Sequence, residues 1–168
     1  MKTPIIIGTV TDKQDIDLAN EIAKLLPENQ VTFIFTQSAY NTPMWENIQI
    51  DGESVDDLAY IFEFTVDLPT IKEQATWIVA EWKQNRRMIL TKDEYDIHGD
   101  GFYCVSNYQE YLWSRDIMEK YKRNDVLTKD EFKFAKECMF GWDFREAFNT
   151  YQEYLNKRST VFPFVNVY

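Results

Sequence analysis

The stretch IIIGTVTDKQDIDLANEIAKLLPENQVTFIFT, residues 5–36, decides how the chain begins to fold. Its first six residues form an apolar run rich in β-branched side chains, and Val31, Phe33 and Phe35 alternate with Thr32, Ile34 and Thr36, so both ends read as strands. Between them Asp12 can cap a helix on which Ile16, Ala19, Ile22, Ala23 and Leu26 recur at three- and four-residue steps, and Pro27 closes it. A strand, helix, strand order with so short a connection fits a parallel crossover unit, with an antiparallel arrangement as the alternative.

Downstream, residues 40–54 read as loop with a short extended piece, because Asn41, Pro43, Asn47 and Asp51-Gly52 are turn formers. Ser54 is then expected to cap a short helix with Val55, Leu58, Ala59 and Phe62 on its inner face. Thr70 with Glu73, Asn107 with Glu110 and Thr128 with Glu131 each match a helix-opening pattern, and Gly141 is placed to bend or split the last of these helices. Arg87–Leu90 suggests a strand, and residues 94–97 with 101–106 suggest a hairpin turning at His98–Gly101. The tail, 161–168, reads as an edge strand because Pro163 cannot donate a ladder hydrogen bond. The class expected is α+β: an N-terminal strand-helix-strand unit with a small sheet, a mostly helical C-terminal half and a C-terminal edge strand, with residues 1–168 as a single domain. Within it LTKDE occurs at 90–94 and 127–131, and YQEYL at 108–112 and 151–155, an echo with offsets of 37 and 43.

A chain of 168 residues with 45% hydrophobic and 16% aromatic content has material for a core and is not disordered. No apolar run reaches the roughly 18 residues of a membrane span, and the start lacks a signal-peptide pattern, so the cytoplasm is the expected location. Cys104 and Cys138 fit neither a disulfide framework nor a zinc spacing and are expected as buried free thiols.

The one histidine, His98, lies in DEYDIHGDGFYC, residues 93–104. Asp96, His98 and Asp100 can be laid on a calcium loop, but its twelfth position falls on Asn107, where a bidentate Glu is needed. A turn is preferred, with these three residues kept as the metal candidates of an alternative reading: a metal-dependent enzyme or a calcium module. Nucleophilic catalysis lacks a motif, and Gly8, followed by Asp12, Asp15 and Asp17, does not suit a phosphate loop. Lys83, Arg86 and Arg87 read as a helix C-terminal cluster. No catalytic residue and no cofactor is assigned.

Charge carries the functional expectation. The net value is −10, and from Pro27 through Ile71 there is no Lys or Arg, although Glu28, Glu46, Asp51, Glu53, Asp56, Asp57, Glu63 and Asp67 lie there. Ordinary surfaces mix both signs. Carboxylates among Tyr40, Trp45 and Tyr60 are what a surface for a basic partner would use, and Tyr40, Trp45, Glu46, Asp51, Glu53, Asp56, Asp57, Tyr60 and Glu63 are the partner-binding candidates. The expected function is binding to a basic protein surface, the nucleic-acid groove of a host nuclease such as a restriction or CRISPR enzyme, without direct binding of nucleic acid or membrane. In general character the chain resembles the acidic, DNA-mimicking inhibitors that phages and mobile elements encode against restriction or CRISPR enzymes. That resemblance rests on size, acidity and aromatic content and transfers no residues. A subunit of a larger assembly would use the same surface features.

Overall fold

The structure, a computed structural model, describes residues 1–9, 12–37, 43–56, 58–99 and 103–161, with the backbone alone described at 37, 43–46, 58–59 and 159–161. It is α+β, with a four-stranded mixed sheet in the N-terminal half and a helical C-terminal half. The chain divides into two compact units, Met1–Gly99 and Asp100–Tyr168. Length suggested one core; the described apolar residues form two clusters, one in each unit.

The first unit runs β1 (Ile5–Ile7), α1 (Lys13–Leu25), β2 (Val31–Gln37), β3 (Pro43–Ile50), β4 (Glu53–Ser54), α2 (Leu58–Thr65), α3 (Ile71–Asn85) and α4 (Lys92–His98). Strand order follows chain order; β1 pairs parallel to β2 with Ile6 opposite Phe33, and β2–β3 and β3–β4 are antiparallel. The parallel crossover is therefore present. Asp12 caps α1, accepting from the Gln14 amide at 2.9 Å, and Ala19, Ile22, Ala23 and Leu26 are buried as the periodicity predicts, joined by Leu18 in place of the exposed Ile16. Val31, Phe33 and Phe35 form the inner face of β2. Gly8 is structural: at φ 97° a side chain is strained, and a Cβ there would sit 2.5 Å from the Phe35 carbonyl oxygen.

Four expectations are corrected. The segment read as loop contains the eight-residue β3, since pairing with β2 outweighs the turn preference of Asn47, whose side chain bonds Ser54. Ser54 consequently lies in β4 and caps no helix; α2 starts at Leu58 and buries Ile61 and Thr65, leaving Phe62 outside. Arg87–Leu90 forms no strand, and the expected hairpin is replaced by α4, which opens with a capping box between Thr91 and Glu94 and ends at Gly99, φ 78°. A helix that satisfies both ends locally outcompetes a two-stranded ribbon, which is marginal alone. The C-terminal edge strand lies outside the described residues, apart from Val161, which ends the last helix.

The second unit runs α5 (Tyr108–Lys122), α6 (Lys129–Phe134), a π-helical turn (Ala135–Met139), α7 (Trp142–Ala147) and α8 (Tyr151–Val161). Gly141 does split the helix, standing at the start of α7, and Trp142 just after it is 74% exposed. Phe132, Phe140, Phe144, Phe148 and Tyr154 build an aromatic core. Its last helix holds the α5–α6 turn: the Tyr154 hydroxyl accepts from the Leu127 amide at 3.1 Å, and the Tyr151 hydroxyl donates to the Leu127 carbonyl at 2.8 Å. Among the described residues no helix is long and apolar enough to cross a membrane.

The LTKDE echo has a structural counterpart. Glu94 takes the Thr91 amide on one oxygen (2.9 Å) and the Lys83 ammonium on the other (2.6 Å), and Glu131 takes the Thr128 amide (2.8 Å) and the Lys120 ammonium. Every partner is displaced by 37 residues, including the caps Arg86 and Arg123, the positive-φ residues Arg87 and Asn124, and the buried Leu90 and Leu127. Burial would raise the Glu131 carboxyl, but the Lys120 and Thr128 hydrogen bonds outweigh it and hold the group below its ordinary 4.5. A carboxylate depressed on folding contributes stability above its unfolded pKa and loses it as the pH falls through the folded value. Urea midpoints measured through this acid range should therefore fall less steeply in Glu131→Gln than in the wild-type chain; equal slopes would show that the pair contributes nothing.

Candidate functional site

Helix α2 is short and almost wholly apolar, LAYIFEFT, followed by Val66. An eight-residue helix lying on one side of a core can bury only one stripe. Ile61 and Thr65 take that stripe, at 0% and 3% exposure, and the Thr65 hydroxyl donates back to the Ile61 carbonyl at 2.8 Å. Of the other side chains described, Tyr60 is 40% exposed, Phe62 58%, Phe64 47% and Val66 55%. Tyr60 and Phe64 are braced rather than loose. Their rings lie 5.9 and 5.6 Å from that of Trp77 on α3, Phe64 stacked parallel to it, and 4.6 Å from each other. Phe62 and Val66 belong to no such stack among the described residues.

Acidic groups surround this apolar face. Glu63, Asp67 and Asp56 are exposed. Burial pushes the Tyr60 hydroxyl above its ordinary value, and Glu81, Asp56 and Glu63 push it further, so the charges felt there are all negative. Aromatic area framed by carboxylates is suited to a partner that offers aliphatic stems ending in cations.

The residues singled out from sequence are distributed unevenly. Tyr60, Glu63 and Asp56 belong to this patch. Asp51, exposed on the β3–β4 turn, accepts from the Gln30 amide (2.8 Å) and the Asn29 side chain (2.5 Å), and these bonds hold its carboxyl below the usual range. Glu53 pairs with Arg86, which also stacks over Trp82. Those two carboxylates are thus engaged within the fold. Tyr40 and Asp57 lie outside the described residues, and Trp45 and Glu46 are described as β3 backbone only. Phe62, Phe64, Val66 and Asp67 were not among the expected contacts; the available signal was a run of apolar residues, YIFEFTV, too continuous for one buried stripe.

The metal reading meets different geometry. Asp96 and His98 stand two positions apart on α4, hence on opposed faces. Asp96 pairs at the surface with Lys92, whereas the His98 ring is turned in, its Nε2 against Glu81, its Nδ1 3.0 Å from the Gly99 carbonyl oxygen, and its centroid 5.0 Å from Trp77. The His98 and Glu81 side chains keep 8% and 7% exposure. Asp100 lies outside the described residues, and among those described no group of three potential ligands comes together. His98 is therefore a buried strut between α3 and α4, which corrects its placement in a hairpin turn.

No protein family, curated protein or solved structure matches the chain, so the site rests on its own geometry. Breaking one side of a buried pair typically costs about 3 kcal/mol or more, while an exposed i,i+4 pair contributes roughly 0.5. Glu81→Ala should accordingly destabilise the chain by about 3 kcal/mol in urea titrations, and Asp96→Ala by under about 0.5. If both losses instead vary with added Ca²⁺ or Zn²⁺, a metal role for α4 returns.

Proposed function

We propose that the chain acts by binding, docking the outer face of α2 onto a basic protein surface of the kind through which a nuclease holds nucleic acid. The observation that carries this is the exposure of Tyr60, Phe62, Phe64 and Val66 on one short helix amid Asp56, Glu63 and Asp67. Aromatic side chains held rigid before contact lose little entropy on binding and serve as anchors, and surrounding carboxylates raise the association rate and orient cationic side chains. The net charge of −10 extends the same field beyond the contact and disfavours phosphates as the ligand. By sequence, Tyr40, Trp45, Glu46 and Asp57 extend the proposed surface, while Asp51 and Glu53 contribute less because their carboxylates are already engaged.

Competition tests the reading. The full chain is titrated into a panel of purified restriction and CRISPR nucleases, each holding labelled DNA, at low and high salt. Displacement from at least one enzyme is expected, weakening steeply with salt and about tenfold or more in a Phe62→Ser/Phe64→Ser chain, a loss of roughly 1.4 kcal/mol. Displacement that the double variant leaves unchanged would remove α2 from the interface. No displacement anywhere in the panel would remove the nuclease.

A further inference from the structure

We propose that Cys104 and Cys138 form a redox pair that closes reversibly to an intramolecular disulfide within the second unit. They are the two cysteines of the chain, 34 positions apart, and neither is buried: Cys104 is exposed and Cys138 partly so. The expectation of buried free thiols is thereby replaced. The fold brings them together through the main chain, where the Cys104 amide donates to the Cys138 carbonyl at 3.0 Å.

This bond has a structural cause. The π-helical turn ends at Met139, and the carbonyls of its closing residues need donors from outside the helix. Arg145 serves Lys136 (2.8 Å) and Glu137 (3.1 Å), and Cys104 serves Cys138. Tyr103 is buried in the aromatic core and Val105 packs against it, which holds the intervening Cys104 beside the turn with its side chain outside. By standard backbone dimensions, one N–H···O=C bond of 3.0 Å keeps the two Cα atoms within roughly 6.5 Å of each other, inside the roughly 4.4–6.8 Å that a disulfide spans. The Cys138 thiol is raised by burial first, then by Glu137, Glu110 and Cys104 itself, so the two thiols lie within electrostatic reach of each other.

The roles divide by exposure. The Cys104 thiolate attacks a small disulfide such as oxidised glutathione, forming one S–S bond and expelling one glutathione thiolate. Cys138 then yields its proton to solvent, and its sulfur attacks the Cys104 sulfur, expelling the second glutathione. Two protein thiols are oxidised, one glutathione disulfide is reduced to two thiols, and the two protons released end on glutathione. The product fastens the segment before α5 to the end of the π-helical turn, and excess glutathione reopens it.

The reduced full chain is incubated with oxidised glutathione at about pH 8, where free thiols are partly ionised, then alkylated and weighed intact. The expected product is a monomer that takes up no alkylating agent and no glutathione, and whose digest links the Cys104 peptide to the Cys138 peptide. Cys104→Ser and Cys138→Ser, with unchanged circular dichroism, should each end as a single glutathione adduct. A wild-type chain with two glutathione adducts, a disulfide-linked dimer, or two thiols still open to alkylation would overturn the pair.

Discussion

The central turns of helix α3 are buried in every direction. Eight consecutive residues, Ala75–Trp82, are inaccessible, and at 100° per residue eight positions cover the full circumference of a helix. Charged side chains in or beside these turns are largely cut off from water, so they must be met by the protein. Glu81 is met by His98 and Lys83 by Glu94, both from α4. That demand fixes α4 against α3, makes the single histidine a strut, and gives Glu94 its double engagement with Lys83 and the Thr91 amide. With α1, α4 and the sheet residues of the same cluster around it, α3 leaves α2 little to cover. The outer side of α2 is what remains, and it carries apolar surface in excess of what the core can use.

The second unit repeats the helix pair with a less complete enclosure. Lys120 and Glu131 reproduce the Lys83–Glu94 pair, but the Lys120 side chain is 34% exposed against 14% for Lys83. Position 98, His in the first pair, becomes Ala135, where the π-helical turn begins. The shared part is thus the turn and the N-terminus of the second helix. The divergent part is where the second helix ends, and there the unit places Cys138.

Much of the fold is legible in the sequence because it is specified locally. Asp12, Thr70, Asn107 and Thr128 each name a helix start through a side chain three or fewer residues from its partner. The pentapeptide LTKDE opens a helix at 128, and the same residues do so at 91; the apparent turn signal of His98–Gly101 hid the second instance. What depends on distant partners is not legible. Asn47 lies in a strand because Ile34 is opposite it, Phe62 is exposed because Ile61 and Thr65 already fill the available groove, and Cys104 meets Cys138 because a helix end lacks a donor. For the site, the acidity and the aromatics were readable, but which carboxylates the fold engages was not: Asp51 and Glu53 are used by the fold, and Asp56 and Glu63 accompany the exposed rings.

Function in this account follows from that unequal division of burial between two neighbouring helices. Native-state hydrogen exchange on the full chain measures it directly, because amides report the free energy of opening each helix. Amides of Ile78–Trp82 should exchange only on global unfolding of residues 1–99, and those of Phe62–Thr65 by local opening at far lower cost. Equal protection of the two helices would mean that α2 is an integral wall of the core, and its outer face could no longer be regarded as surface left over for a partner.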